Sequence, residues 1–173
     1  MDGCDARALH EAYVRGDLDT VRQLLGNPPD FPNCRGPRGL GEIILEYAIY
    51  HSPASAIESL LDSGADPNYG DHAGYPSLIA ALSSGRPDRL EILDLLLLRG
   101  ADIQQRGGNG YTPLHWAACE DDPVLIDWLL KRGADPEART NVDDYATPLE
   151  EAEILRREHA VRALRAAARD SNR

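Results

Sequence analysis

Apolar residues in this chain fall into short stripes at helical spacing, paired and separated by polar reversals. The pattern is clearest from Gly110 to Asp135. Leu114, Ala117 and Ala118 make a narrow face of small side chains, Glu120-Asp121-Asp122-Pro123 interrupts it, and Leu125, Ile126, Leu129 and Leu130 form a second stripe. Thr112 stands where a side chain can cap the first helix, and Pro113 takes the first helical position, where its missing N–H costs nothing. Gly133 follows the second stripe where a left-handed residue is wanted, with Lys131 and Arg132 in the last turn. This predicts helix, reversal, helix. One such pair cannot bury its own apolar faces, so the pattern has to recur.

It recurs along nearly the whole chain. Leu114 lies 15 residues before Leu129 and 19 before Gly133. The same ruler on Leu45 finds Leu60 and Gly64, and on Leu78 it finds Leu96 and Gly100 after a displacement of three. On Leu9 it finds Leu24, and on Leu149 it finds Leu164. The anchor leucines 9, 45, 78, 114 and 149 stand 36, 33, 36 and 35 apart, and Gly-Ala-Asp recurs at 64–66, 100–102 and 133–135. With this period, the string Thr112-Pro113-Leu114-His115-Trp116-Ala117 closely resembles an ankyrin repeat. The resemblance implies an all-α ankyrin-repeat solenoid of helix–turn–helix units joined by hairpin loops. Five repeats would form a single domain over residues 1–173, at about 5–39, 40–74, 75–109, 110–145 and 146–170, with the first and last as caps.

Departures from the pattern carry their own expectations. The first pair, over residues 8–25, lacks the Thr-Pro start, as suits a terminal repeat. Prolines and glycines crowd residues 26–41 and predict an irregular loop. In the second repeat Ile43-Ile44-Leu45-Glu46 replaces Thr-Pro-Leu-His, so both cap and proline are missing. Residues 67–74 and 103–109 read as hairpins, and the third repeat carries a three-residue insertion in its reversal at 83–89. The leucine-rich run from Leu90 to Leu98 predicts a helix buried on most sides. The last hairpin has two extra residues and puts Tyr145 where the others have glycine. Arg162 and Arg165 on the final helix mark a wetted outer face.

Charge narrows the choice of partner. The net charge is −11, and because residues 150–173 sum to +1, the preceding 149 carry −12. An acidic body repels nucleic acid and anionic membrane, and no apolar run approaches the roughly 18 residues of a membrane span. The N-terminal residues are charged and show no secretory signal. Cys4, Cys34 and Cys119 are an odd set without close pairing, expected to be reduced thiols in a cytoplasmic protein. Among the basic residues 17 are Arg and one is Lys, a bias that with abundant alanine associates the chain with a GC-rich, bacterial genome.

Candidate chemistry is thin. His115 and Cys119, four apart on one helix, could offer two metal ligands, but no second ligand pair stands at useful spacing. The resemblance gives His115 a different task, hydrogen bonding to the backbone of a neighbouring loop. Arg106-Gly107-Gly108-Asn109-Gly110 lacks the Lys-Ser/Thr of a phosphate loop and reads as a hairpin tip. Acids cluster at 120–122, at 143–144, and at Glu150, Glu151 and Glu153, on reversals, tips and a helix start where carboxylates are solvated. No nucleophile signature accompanies a histidine. Neither cofactor nor metal is expected, and an enzyme using His115, Cys119 and nearby carboxylates is the competing class.

In ankyrin repeats the contact surface lies on the hairpin tip and the exposed side of the first helix, at −6, −5, −3, +5 and +6 from the anchor leucine. In this sequence those positions hold Glu42, Tyr50 and His51; then His72, Ala73, Tyr75, Ser83 and Ser84. The next repeats give Gly108, Asn109, Tyr111, Cys119 and Glu120, then Asp143, Asp144, Ala146, Ile154 and Leu155. Tyr47 and Trp116, at +2, are expected in the core, and Trp128 in back-side packing. The resemblance implies a monomeric interaction module that binds a protein through Tyr50, His51, His72, Tyr75, Asn109, Tyr111, Cys119, Glu120, Asp143 and Asp144. Three tyrosines rimmed by acids have the composition of an interaction hot spot, although tyrosine there can also pack on the next tip. The acidic rim suits a partner with a basic surface, and one form of this is an antitoxin- or immunity-type inhibitor masking such a partner.

Overall fold

The computed structural model describes residues 5–36, 43–70, 75–141 and 145–170. Among the described residues ten α-helices form five antiparallel pairs, with no strand beyond a single bridge between Arg35 and Ile43. The helices divide between two compact units, Met1–Ala101 and Asp102–Arg173. The first unit holds α1 (Ala6–Arg15), α2 (Leu18–Leu24), α3 (Ile44–His51), α4 (Ala54–Asp62), α5 (Ser77–Ser83) and α6 (Arg89–Leu98). The second holds α7 (Pro113–Cys119), α8 (Pro123–Lys131), α9 (Pro148–Ile154) and α10 (Glu158–Asp170).

Each helix starts where its sequence supplies, or fails to supply, an acceptor for free backbone N–H groups. Asp5 caps α1 by accepting from Arg7 and Ala8, and Asp122 caps α8 by accepting from Val124 and Leu125. Thr112 and Thr147 cap α7 and α9 with proline at the next position, each closing a reciprocal bond with the side chain three residues on, His115 or Glu150. No side-chain cap serves α3, as its missing Thr-Pro pair anticipates, and none serves α5, where Pro76 stands at the cap position. At α10 the acceptor comes from the preceding pair: Asp121 takes the Ala160 N–H at 2.8 Å and lies 2.7 Å from His159 Nδ1.

The anchor leucines at 9, 45, 78 and 114 are buried, as are Leu60, Leu96, Leu129 and Leu164; Leu149 and Leu24, in the terminal pairs, are half-buried. In the first unit α3 packs on α1, α4 and α5, and α6 packs on α4 and α5. In the second, α7 packs on α8 and α9, while α10 closes against α8 and α9. The leucine-rich run differs from expectation. Ile92, Leu93 and Leu96 of α6 are fully buried, but Leu98 is 77% exposed and Leu90 is at the edge of exposure. A helix laid against α4 and α5 buries one stripe, and leucines off that stripe remain outside it.

The repeated Gly-Ala-Asp string builds the link between successive loops. Gly64, Gly100 and Gly133 adopt φ of 94°, 91° and 90°, which ends the second helix of each pair. The following alanines are buried. Each aspartate then accepts the N–H two residues on, from Asn68, Gln104 and Glu137. That turn holds a side-chain amide ready for the next loop. Asn33 donates to Gly64 O and accepts from Asp66 N–H, both at 2.8 Å. Asn68 donates to Gly100 O at 2.8 Å. Gln104 donates to Gly133 O at 2.9 Å and accepts from Asp135 N–H at 3.2 Å. In the last copy Glu137 stands in the amide's place.

The three-residue insertion before α6 also has a task. Arg86, within it, donates to the carbonyls of Ile49 and Ser52 at the end of α3, and its charge is balanced by Asp88 at 2.7 Å. A cation at a helix C-terminus satisfies free carbonyls and complements the helix dipole. Tyr47 and Trp116 are half-buried, and Trp128 is buried beneath the Arg132 guanidinium, 4.0 Å from its ring centroid.

Two substitutions separate the apolar stack from the loop links. Leu114→Ala is expected to cost about 2–5 kcal/mol through the cavity left among α7, α8 and α9. Gln104→Ala leaves the Gly133 carbonyl and Asp135 N–H without that partner and is expected to cost about 1 kcal/mol, because both groups are exposed enough for water to replace it. Chemical denaturation of the purified variants checks the order; a Gln104→Ala loss equal to that of Leu114→Ala would place the loops, not the leucines, at the centre of stability.

Candidate binding surface

In the first unit the expected contact residues are held by a set of bonds between successive repeats. Tyr50, half-buried on α3, shares a hydrogen bond of 2.8 Å with the Ser83 hydroxyl of α5. Tyr75 precedes α5 and is 43% exposed, while its backbone is fixed on both sides. Its N–H donates to Glu46 Oε1 at 2.9 Å, and its carbonyl accepts from the Tyr69 hydroxyl at 2.7 Å. Glu46 is buried, and desolvation raises its carboxyl above the ordinary glutamate value, against the lowering effect of the Tyr75 N–H. Burial likewise pushes the Tyr69 hydroxyl up. His51 is exposed, with its ring 4.4 Å from that of Tyr47.

The second unit repeats this logic with other residues. Asn109 lies exposed at a hairpin tip with φ of 59°, and its carbonyl accepts from Asn141 N–H at 2.8 Å. Gly110 beside it is obligatory: φ is 77°, and a Cβ there would fall 2.7 Å from Asn141 backbone nitrogen. Tyr111 is half-buried and donates its hydroxyl to Glu151 on α9. Cys119 is half-buried, its thiol pushed up to about 11, first by burial and then by the Glu151 charge. Glu120 is exposed at the reversal. The structure thus brings Tyr111, Cys119 and Glu151 together, while Asn109 and Glu120, their neighbours in the chain, are exposed.

The last pair shows an apolar ledge. Ile154 is 55% exposed, with Leu155 next to it also exposed. A groove of about 300 Å³ is lined by Arg139, Ala146, Glu150, Glu153 and Ile154. Tyr145, exposed and held at φ of 50°, takes the glycine-like conformation, and its carbonyl accepts from Arg139 at 2.7 Å. Arg106 does the same for Gly110 in the hairpin before, which turns its guanidinium back onto loop carbonyls of Gly110 and Arg139. Glu42, His72, Ala73, Asp143 and Asp144 lie outside the described residues.

His115 is fully buried and spends both ring nitrogens on structure. Nε2 faces the Ala146 carbonyl at 3.0 Å, an acceptor, so Nε2 carries the proton; Nδ1 accepts from Thr112. Desolvation lowers its pKa and keeps it neutral. His115 stands at +1 from its anchor leucine and bonds the residue at −3 of the next repeat. Glu46 stands at +1 from Leu45 and bonds Tyr75, also at −3 of the next, with polarity reversed: a carboxylate accepts an N–H where an imidazole donates to a carbonyl. The Tyr69 hydroxyl then supplies the donor for the Tyr75 carbonyl. Sequence reasoning missed this role of Glu46, although its place in the Thr-Pro-Leu-His register was visible. Among the described residues no three His, Cys, Asp or Glu side chains converge as a metal site, and no helix is long and apolar enough to cross a membrane.

A family model for ankyrin repeats in three copies matches residues 9–107, and one for the single ankyrin repeat matches residues 109–141. The mitochondrial disaggregase of Bos taurus is 31% identical over 158 residues, covering 86% of this chain and 22% of that protein. The E3 ubiquitin-protein ligase KEG of Arabidopsis thaliana is 30% identical over 146 residues, covering 79% of this chain and 9% of its own length. The human SH3 and multiple ankyrin repeat domains protein 1 is 36% identical over 94 residues, 53% of this chain and 4% of that protein. The chain spans under a quarter of the length of each of these relatives.

Glu46 supplies a test of the inter-repeat bond. Its raised folded value means that a penalty for burying the charge is present above that value and is relieved as pH falls through it. Glu46→Gln keeps an acceptor and removes the charge, so at pH 7 it is expected to match the wild type or gain up to about 1 kcal/mol, an advantage that vanishes in acid. Glu46→Ala leaves the Tyr75 N–H without its acceptor and is expected to lose about 1–2 kcal/mol. Thermal melts at pH 7 and pH 4 check both; equal losses for Gln and Ala would show that the charge itself stabilises.

Proposed function

The chain belongs to the ankyrin-repeat family, and on that premise we propose that it is a binding module that holds a protein partner on its hairpin tips and the exposed sides of its first helices. The observation that carries this is Tyr75: a large aromatic residue 43% open to solvent on a backbone fixed by Glu46 and Tyr69. An exposed aromatic held in place loses little entropy on binding, the property of an anchor. Tyr50 and Tyr111 present half-buried rings whose hydroxyls are already bonded to the next repeat, so they offer apolar faces rather than donors. The relatives support binding over chemistry. Their names describe a disaggregase, a ubiquitin ligase and a multidomain protein, and the stretch each shares with this chain is a small part of it.

The finer form of the proposal is a partner with a basic surface. Residues 1–149 carry −12, and the exposed Glu120 together with Asp143 and Asp144 adds carboxylates at contact positions. Complementary charge speeds association and selects against acidic partners. Inhibition by masking a basic partner is the sharpest case. The module is taken to work as a monomer in the cytoplasm, where Cys34 and Cys119 remain free thiols.

Binding kinetics with a partner co-purified from the native host test both levels. Neutralising Glu120, Asp143 and Asp144 together is expected to slow association and flatten its salt dependence. Tyr75→Ala is expected to speed dissociation, at a cost of about 2 kcal/mol, with the fold intact. Tyr111→Ala should cost less, because its hydroxyl bond to Glu151 is lost in the free protein as well. Salt-independent association with unchanged dissociation in both tyrosine variants would move the binding site off this surface.

A further inference from the structure

Two histidines meet between α1 and α3, and among the described residues no ion pair joins a carboxylate to either. The ring centroids of His10, half-buried on α1, and His51, exposed at the end of α3, are 5.2 Å apart, edge to face. His10 Nδ1 lies 2.9 Å from the Tyr47 hydroxyl. The Tyr47 ring lies 4.7 Å from that of Tyr13 on α1, so the four rings form one cluster joining α1 to α3. Among the described residues, the elements around this cluster carry the following charged and polar groups. From the insertion before α6, Arg86 binds the carbonyls of Ile49 and Ser52 and its positive charge acts on His51; Asp88 is paired with Arg86. On α1, Glu11 pairs with Arg7 and Arg15, and Asp17 is bonded to Thr20 at the start of α2. On α3, Glu46 holds the Tyr75 N–H and Tyr50 bonds Ser83 of α5; on α4, Glu58 and Asp62 hold Arg99.

We propose that His10 and His51 form a proton-operated latch that holds the N-terminal helix pair, α1 and α2, against α3. With both rings neutral, the Tyr47 hydroxyl can donate to His10 Nδ1, and the rings pack edge to face. When His10 takes a proton, Nδ1–H donates to the Tyr47 oxygen instead, so this hydrogen bond survives with its donor reversed. Charge is what changes. Two imidazolium rings at this separation, with Arg86 close by, repel one another more than the face of Tyr47 attracts them. Burial already lowers the His51 pKa, and the charges of His10 and Arg86 lower it further. The opened chain therefore binds protons more readily than the closed one. The stabilisation is present above the ordinary histidine value of about 6.5 and is lost progressively as pH falls from there through the lowered His51 value. Among the described helices α1 packs mainly on α2 and α3, and the turn between α1 and α2 lies against Pro53 and Ala56 at the start of α4. Opening there is local rather than global.

Hydrogen exchange, expressed as protection factors so that the intrinsic pH dependence drops out, tests the latch on the protein alone. Between pH 7.5 and 5.5 the protection of residues 6–24 is expected to fall about tenfold, while α5 and α6 change little. In the His10→Gln/His51→Gln double variant that fall should disappear. A milder readout covers the case in which the double variant does not fold. In His10→Gln alone, the NMR titration midpoint of His51 should rise, because a neighbouring positive charge is gone. An equal loss of protection in the double variant, or an unchanged His51 midpoint in the single one, overturns the proposal.

Discussion

A side-chain amide that reaches from one loop into the next sets the register of this molecule. A helix pair of this size has one apolar stripe per helix and nothing within itself to fix how far it slides against its neighbour. The Gly-Ala-Asp turn removes that freedom. Its glycine releases a carbonyl outward, its aspartate closes a local turn, and the amide of the preceding loop bonds the carbonyl and, at Asn33 and Gln104, the next N–H as well. Two bonds to adjacent backbone groups tolerate no displacement of a residue in either direction. The leucines then supply most of the free energy, but the amides decide which leucines meet.

The same inter-repeat bonding shapes the surface on which a partner is taken to sit. Tyrosine hydroxyls are used inside the fold, Tyr50 on Ser83 and Tyr111 on Glu151, and this orients their rings without leaving a free donor. Packing through the hydroxyl therefore does not exclude contact through the ring at these positions. A ring fixed by its hydroxyl shows a preformed apolar face, and preorganisation lowers the entropy lost on association. Tyr75 reaches the same end by another route, through its backbone.

What could be read from the chain alone was local. Thr112-Pro113 at a helix start, glycine at a helix end and leucines at a fixed interval each depend on a few neighbouring residues, and these features appear in the fold where their spacing puts them. The contact across repeats was less legible. Asn33, Asn68 and Gln104 differ in residue type and in distance from their anchors, so no string announces them, although an amide two residues after Gly-Ala-Asp recurs at 68 and 104. The α6 run misled for another reason. A segment with leucine at almost every position carries no contrast between faces, so its burial is set by what packs against it, and Leu98 was left exposed. Arg86 lay inside an insertion that reads only as extra length, yet it satisfies the end of α3.

The second repeat shows how a family pattern can be abandoned residue by residue while its physical function is kept. Histidine at +1 works by donating to a carbonyl from a buried, neutral ring, as His115 does. Glutamate in that position cannot donate when ionised, so a direct replacement would set carboxylate against carbonyl, two acceptors in a dry site. The conflict is avoided by using the other half of the same peptide region: Glu46 takes the Tyr75 N–H, and the neglected carbonyl is given the Tyr69 hydroxyl. The exchange thus requires two changes, an acceptor at +1 and a hydroxyl donor in the following loop, and neither works well alone. It also adds a buried carboxyl with a raised pKa to a bond that histidine makes without charge. The link between the second and third helix pairs therefore carries a cost at neutral pH that the link made by His115 does not, and it fixes the backbone of Tyr75, which is more exposed than Tyr50 or Tyr111.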